Sequence, residues 1–397
     1  MRLAARSSQL RVRGGHARVT FLELFYDLVY VFAVTQLSHG LLGHLTLLGA
    51  VQTGLLMLAV WWAWINTAWV TNWLDPDKPA VRALLITLML AGLVFSAAIP
   101  RAFEDRGIAF ALAYAAMQLC RDGFMLWALR RHDSTNFRNF LRIGSWHVAA
   151  LPFWIAGAFA DTSLHLTLWT IAVIIDTAAP VAGYWTPGLG RSTTADWRVE
   201  GAHIAERCGL FVIIALGESI LITGATFAEL PWNLLSAAAF VVSFAGSAAM
   251  WGVYFNIGAE RSSTFAAASD DPGRIARSGY TFLHILIVAG IIVAAVADEL
   301  VLHHPDGHGG HTDLATAAVI IGGPALYLIG NGLFKRLTAP NLPLSHLLGL
   351  GALAVLAGAA IFATPLVLSA ATTVILIGVV VWERVSLGAG TAKPPTH

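Results

Sequence analysis

Apolar stretches of about 20 residues recur along the whole of this chain, and each is long enough to cross a hydrocarbon core about 30 Å thick. Lipid offers no partner for a free amide, and the alternation of barrel strands is absent, so the stretches must be helices. Only 12% of the 397 residues are charged, against roughly 25% in soluble domains. The expected class is therefore an all-α polytopic membrane protein. Twelve spans are expected, at about 20–43, 46–73, 80–99, 107–130, 141–160, 163–186, 203–227, 232–258, 276–300, 313–335, 343–362 and 366–384. A formal net charge of +1 implies no nucleic-acid partner. Cys120 and Cys208 both fall inside spans, so no disulfide framework is expected.

Lys and Arg resist translocation, so the basic connections mark the cytoplasmic side. With the N-terminus inside, cytoplasmic segments collect all but three of the 24 Lys and Arg residues. Arg101 and Arg106 fall outside, and Arg121 lies within a span. Both termini of this multi-pass chain are thus expected in the cytoplasm. Residues 1–19, with Arg2, Arg6, Arg11, Arg13 and Arg18, form a basic cytoplasmic leader rather than a signal peptide.

The halves are similar to each other. Asp27–Gln36 of the first span aligns with Gly209–Glu218 of the seventh. Trp61, Trp64 and Asn66 match Trp251, Tyr254 and Asn256, and Arg82 matches Arg277. The expected organisation is a leader (1–19), a six-helix repeat (20–190), a linker (191–202), a parallel second repeat (203–385) and a short disordered tail (386–397). Six helices per half keep both copies in one orientation, related by a pseudo-twofold along the membrane normal.

Ionisable groups inside a membrane are functional hypotheses by default. Here they are Glu23, Asp27, His39, Arg121, Asp122, Asp176, His203, Glu206, Glu218 and His284. Asp27, Arg121, Asp122, Asp176 and His284 lie at one depth, roughly 10–15 Å from the cytoplasmic ends of their helices. Gln36, His39 and Glu218 form a shallower outer group. Glu23 and Asp27, at i and i+4, share a face, and His203 and Glu206 stand at i and i+3. Glu23 and Glu206 suit the dipole of a helix N-terminus equally well. The expected clamp places Arg121 within about 4 Å of Asp27, Asp122 or Asp176, because an unpaired arginine in lipid is too costly. His284 reads best as a hydrogen-bonded core histidine. The His303–His311 loop reads as solvated, since its spacing fits no standard metal site. The tryptophans suit an interfacial belt and helix packing.

Glu23-Leu-Phe-Tyr-Asp-Leu-Val-Tyr-Val-Phe-Ala-Val-Thr-Gln-Leu37 and Glu206-Arg-Cys-Gly-Leu-Phe-Val-Ile-Ile-Ala-Leu-Gly-Glu-Ser-Ile220 closely resemble the two signature segments of the bacterial low-temperature-requirement A (LtrA) family. Trp61-Trp-Ala-Trp64 and Asp75-Pro-Asp77 are similar too. The resemblance covers nearly the whole chain and implies a multi-helix inner-membrane protein; it assigns no chemistry. Cys208 departs from the pattern, which usually has an aromatic residue there. The two-half layout also looks like that of two-repeat lysosomal potassium channels, with Phe25-Tyr-Asp27 resembling their Phe-Ser-Asp motif.

No catalytic signature, metal-binding motif or cofactor fingerprint occurs, so no cofactor is expected. The leading expectation is a transporter or channel for a small cation or solute, with lipid around it and a polar pathway between the first and seventh helices. Asp27, Arg121, Asp122 and Asp176 would form its inner polar site and Gln36 and Glu218 its outer one, with Glu23 and Glu206 as further candidate pathway residues. The alternatives are a structural or regulatory membrane protein and an intramembrane enzyme acting on a lipid or isoprenoid.

Overall fold

The computed structural model describes residues 8–11, 18–193, 196–197, 199–255, 272–307, 309–338 and 341–390. Arg2, Arg6, Arg13, Arg198, Asn256, Arg261, His308, Lys393 and the tail beyond 390 lie outside these residues. Among the described residues the chain is helical, with no strand and only isolated bridges such as Leu10 to Leu74. The helices are α1 (Phe21–Gly43), α2 (Leu47–Trp73), α3 (Pro79–Ala98), α4 (Gly107–Leu129), α5 (Ser134–Ala158) and α6 (Thr162–Val181). They continue as α7 (Gly201–Glu229), α8 (Leu234–Phe255), α9 (His284–His303), α10 (Leu314–Thr338), α11 (Leu344–Ala359) and α12 (Pro365–Gly390). A helical turn, Pro272–Ile275, and a π-helical stretch, Ala276–Leu283, lead into α9.

Each expected segment is a helix, and ten of those among the described residues are long and apolar enough to cross a membrane. The two outside that set, α4 and α5, are 23 and 25 residues long but carry charge: Arg121 and Asp122 in one, Arg138 and Arg142 in the other. Large apolar side chains such as Phe21, Leu47 and Leu234 stand almost fully exposed, which suits lipid and not water.

Capping side chains start α1, α2, α5 and α6. Thr20 and Glu23 form a reciprocal box at α1. Thr46, Asp133 and Asp161 accept from the backbone N–H three residues on, at 3.1, 3.0 and 3.3 Å.

The chain forms two compact units. Among described residues, the first comprises those up to Arg207 together with 272–277. In it α1 packs on α2 and α3, α4 lies between α3 and α5, and α2 meets α4 and α6. The second comprises 208–255 and 278–390. In it α8 packs on α12 and α9, α9 lies along α10, and α11 joins α10 to α12.

Within lipid, helix association depends on close packing rather than water exclusion, and small residues permit it. The α9–α10 contact has this form. A Cβ on Gly290 would lie 2.5 Å from the Tyr327 nitrogen, and one on Gly323 would lie 2.8 Å from the Ala294 nitrogen. Backbone cannot step aside as a flexible side chain would. Gly290→Ala is therefore expected to destabilise the protein by about 1–3 kcal/mol. Gly378→Ala, where a Cβ meets nothing within 4 Å, should be neutral. Thermal unfolding in detergent compares them; equal midpoints would refute the close contact.

Candidate functional site

Glu23 and Asp27 do share a face of α1, and what meets them comes from the start of α7. His203 Nε2 is 2.9 Å from Glu23 Oε1, and Arg207 Nη2 donates to Asp27 Oδ1 at 2.6 Å. Arg207 Nη1 lies 3.6 Å from Glu23 Oε1. All four side chains are fully buried. Two i, i+4 pairs, one of acids and one of a histidine and an arginine, thus face each other across two helices. Trp64 of α2 donates its indole N–H to Asp27 Oδ1 at 2.8 Å, and the guanidinium of Arg207 sits 5.7 Å from the centre of the Trp64 ring.

Arg11 completes the cluster. Its Nη2 reaches Glu23 Oε2 at 3.1 Å, while its Nε donates to the carbonyls of Thr71 and Leu74 at 2.8 and 3.0 Å. Two acids and two guanidiniums balance, which allows this much charge to be buried. Asn72 fixes the histidine: its amide pairs with both backbone groups of Glu200, at 3.0 and 2.9 Å, so its Nδ2 must be the atom 3.3 Å from His203 Nδ1. Donation to Nδ1 assigns the ring proton to Nε2, facing Glu23.

A second set of groups runs through the first unit as a line of hydrogen bonds. Tyr30 and Tyr26 hydroxyls are 2.8 Å apart, and Tyr26 donates to Thr67 Oγ1 at 2.9 Å. Arg121 Nη1 donates to Thr67 Oγ1 at 3.3 Å and to the Ala63 carbonyl at 3.4 Å, and its Nη2 donates to Gln118. Gln118 donates to the Tyr114 hydroxyl, which donates to Asp176 Oδ2, each at 2.8 Å. Trp154 adds a second donor to that oxygen at 3.1 Å. Tyr114, Gln118 and Arg121 stand at i, i+4 and i+7, one stripe of α4. Every member of the line is buried.

The expected clamp between Arg121 and a carboxylate is not there: Arg121 makes no ion pair within 4 Å among the described residues. Adjacent helical residues point about 100° apart, so Asp122 turns to α5 and meets His147 Nδ1 at 2.6 Å. Asp176 is reached only through Gln118 and Tyr114. Glu206 is also displaced from its expected role, being exposed, with Oε2 accepting from the Val19 N–H at 3.3 Å. The buried partner of His203's face is Arg207.

In the second unit, Glu218 is buried. His284 is a hydrogen-bonded core residue, with Tyr254 Oη 2.8 Å from Nε2 and the Gly279 carbonyl 2.9 Å from Nδ1. Gln36 is half-buried in α1, and His39 is exposed. In the histidine-rich loop, His303 Nδ1 faces its own Glu299 carbonyl at 2.9 Å. Among the described residues no three His, Cys, Asp or Glu side chains gather as a metal site.

Several buried polar atoms have no hydrogen-bond partner among the described residues: Asp27 Oδ2, Asp122 Oδ1, Asp176 Oδ1, and Nε and Nη1 of Arg207. Such atoms are costly inside a membrane protein and concentrate where something passes or binds. Apolar helices around charged clusters define a multi-helix integral membrane protein. The family model for the bacterial low temperature requirement A protein (LtrA) matches residues 18–381, and the chain belongs to that family. An uncharacterized protein of Rhizobium meliloti (strain 1021), RA0937, is 39% identical over 376 residues, covering 93% of this chain and 90% of that protein. No solved structure matches the chain.

Proposed function

We propose that the protein carries a small cation or solute across the bacterial inner membrane, along polar groups that begin between α1 and α7. The observation that carries this reading is the buried hydrogen-bonded line from Tyr30 to Asp176, which lies in the same unit as the Glu23–His203–Arg207–Asp27 cluster. Five of its seven members, Tyr30, Tyr26, Thr67, Gln118 and Tyr114, can both donate and accept, a composition suited to passing protons or stripping water from a cation. Asp122, beside His147, and Glu218 supply further buried acids.

A structural role is the second reading, favoured by the even balance of two acids and two guanidiniums in the cluster. Purified protein in liposomes under an imposed proton or potassium gradient separates the two: flux above empty liposomes supports transport, and its absence for every cation tried supports the structural role.

We further read the halves as a duplication. The neighbouring pairs α2–α6, α2–α4, α3–α4, α4–α5 and α5–α6 of the first unit have counterparts in α8–α12, α8–α10, α9–α10, α10–α11 and α11–α12 of the second. An even number of crossings, ten or twelve, leaves both termini on one side, and the basic connections assign that side to the cytoplasm. In a background lacking Cys120 and Cys208, His308→Cys is expected to react with an impermeant maleimide in intact cells. Labelling only after permeabilisation would reverse the topology.

A further inference from the structure

We infer that α7, α8 and α9 of the second unit hold a monovalent alkali cation between the Asp298 carboxylate and a ring of hydroxyls. Asp298 is buried, and among the described residues no Lys, Arg or His pairs with it. Ser219 of α7 donates to its Oδ2 at 3.2 Å and lies 2.9 Å from the hydroxyl of Ser247 on α8. Ser243, one turn before Ser247, interacts with the same carboxylate. Thr223, one turn after Ser219, extends the hydroxyl face of α7. Ser219, Ser243, Ser247 and Thr223 are all buried.

The hydroxyls point to a ligand. A serine or threonine in an apolar helix ordinarily donates to the carbonyl four residues back. Ser38, Ser96 and Thr177 do so here, at 3.2, 2.7 and 2.7 Å. Thr223 Oγ1 does not, and has no hydrogen-bond partner among the described residues, while Ser243 Oγ turns to the Asp298 carboxylate. An apolar interior penalises such atoms unless something else uses them. One carboxylate with several neutral oxygens is a hard donor set carrying a single negative charge. Calcium and magnesium sites generally use more carboxylate oxygens or retain waters. The charge matches one alkali ion.

Binding here does not require transport, so the inference goes beyond the proposed function. The test uses the purified full chain in detergent, with thermal unfolding followed in LiCl, NaCl or KCl against N-methyl-D-glucamine chloride at equal ionic strength. A bound cation stabilises the folded state by mass action. The midpoint is expected to rise saturably with at least one alkali cation. That rise should vanish in Asp298→Asn. In Ser243→Ala, which removes a hydroxyl beside the carboxylate, the apparent affinity should weaken about tenfold, or 1.4 kcal/mol. If Asp298→Asn fails to fold, Ser243→Ala decides. A midpoint indifferent to the cation, as for a protonated carboxyl bonded to serines, would overturn the inference. So would a response retained unchanged in Ser243→Ala. Because no gradient is involved, absent flux with intact binding would count against transport alone.

Discussion

Arg207→Ala is expected to destabilise the first unit by about 3–5 kcal/mol, the loss typical when one member of a buried ion pair is removed. The guanidinium is fully buried, with Asp27 at 2.6 Å and Glu23 at 3.6 Å. Among the described residues, alanine would strand Asp27 with only the Trp64 N–H, and leave Glu23 to Arg11, His203 and its Thr20 cap. Arg207→Lys should recover part of the loss, since an ammonium restores charge but cannot span both acids as the planar fork does. Asp27→Asn combined with Arg207→Gln should recover more than the single changes predict, because it removes both charges together. Arg121→Ala should be milder, at about 1–3 kcal/mol, because it frees Gln118 and Thr67 from hydrogen bonds without stranding a carboxylate. Thermal unfolding in detergent ranks the variants. An Arg207→Ala protein as stable as the parent, or an Arg121→Ala protein less stable than it, would contradict the energetics given to the cluster.

That ranking reverses what the sequence leads one to expect. Hydropathy alone locates the helices, since a segment that must cross lipid has little compositional freedom, and Thr20, Asp133 and Asp161 mark where helices begin. Glu23 and Asp27 are readable as a pair because i, i+4 spacing fixes their common face. The same rule applied to His203 and Arg207 would have found their partners. Arg207 is instead counted with the cytoplasmic connections, and Glu206 is taken as the buried acid; one step of helical phase separates the two readings. Arg11 carries no local signal, because its role depends on the chain returning to pair at Leu74, a contact between distant segments. Arg121 and Asp122 look like a clamp in sequence, but their side chains diverge around the helix, one toward α2 and one toward α5. The Tyr30–Asp176 line is built of neutral groups whose hydropathy raises no alarm, so only tertiary structure reveals it.

Loss of flux in Asp176→Asn and Glu218→Gln is the largest functional effect expected. Asn at 176 keeps an oxygen to accept from Tyr114 and Trp154, and places an amide where Oδ1 has no hydrogen-bond partner. Gln at 218 preserves the shape and hydrogen-bonding reach of the glutamate. Both substitutions remove the exchangeable charge while sparing the packing, so a fault in folding and a fault in transport can be told apart. If the acids only tie helices together, the amides should serve nearly as well. The decisive measurement is cation or proton flux into liposomes containing parent, Asp176→Asn or Glu218→Gln protein, under an imposed pH or potassium gradient, with unfolding midpoints determined on the same preparations. The transport account predicts flux above empty liposomes for the parent, and flux at the empty-liposome level for both variants despite unchanged midpoints. Parent protein no different from empty liposomes for every cation tried, or flux that both substitutions leave intact, would contradict it.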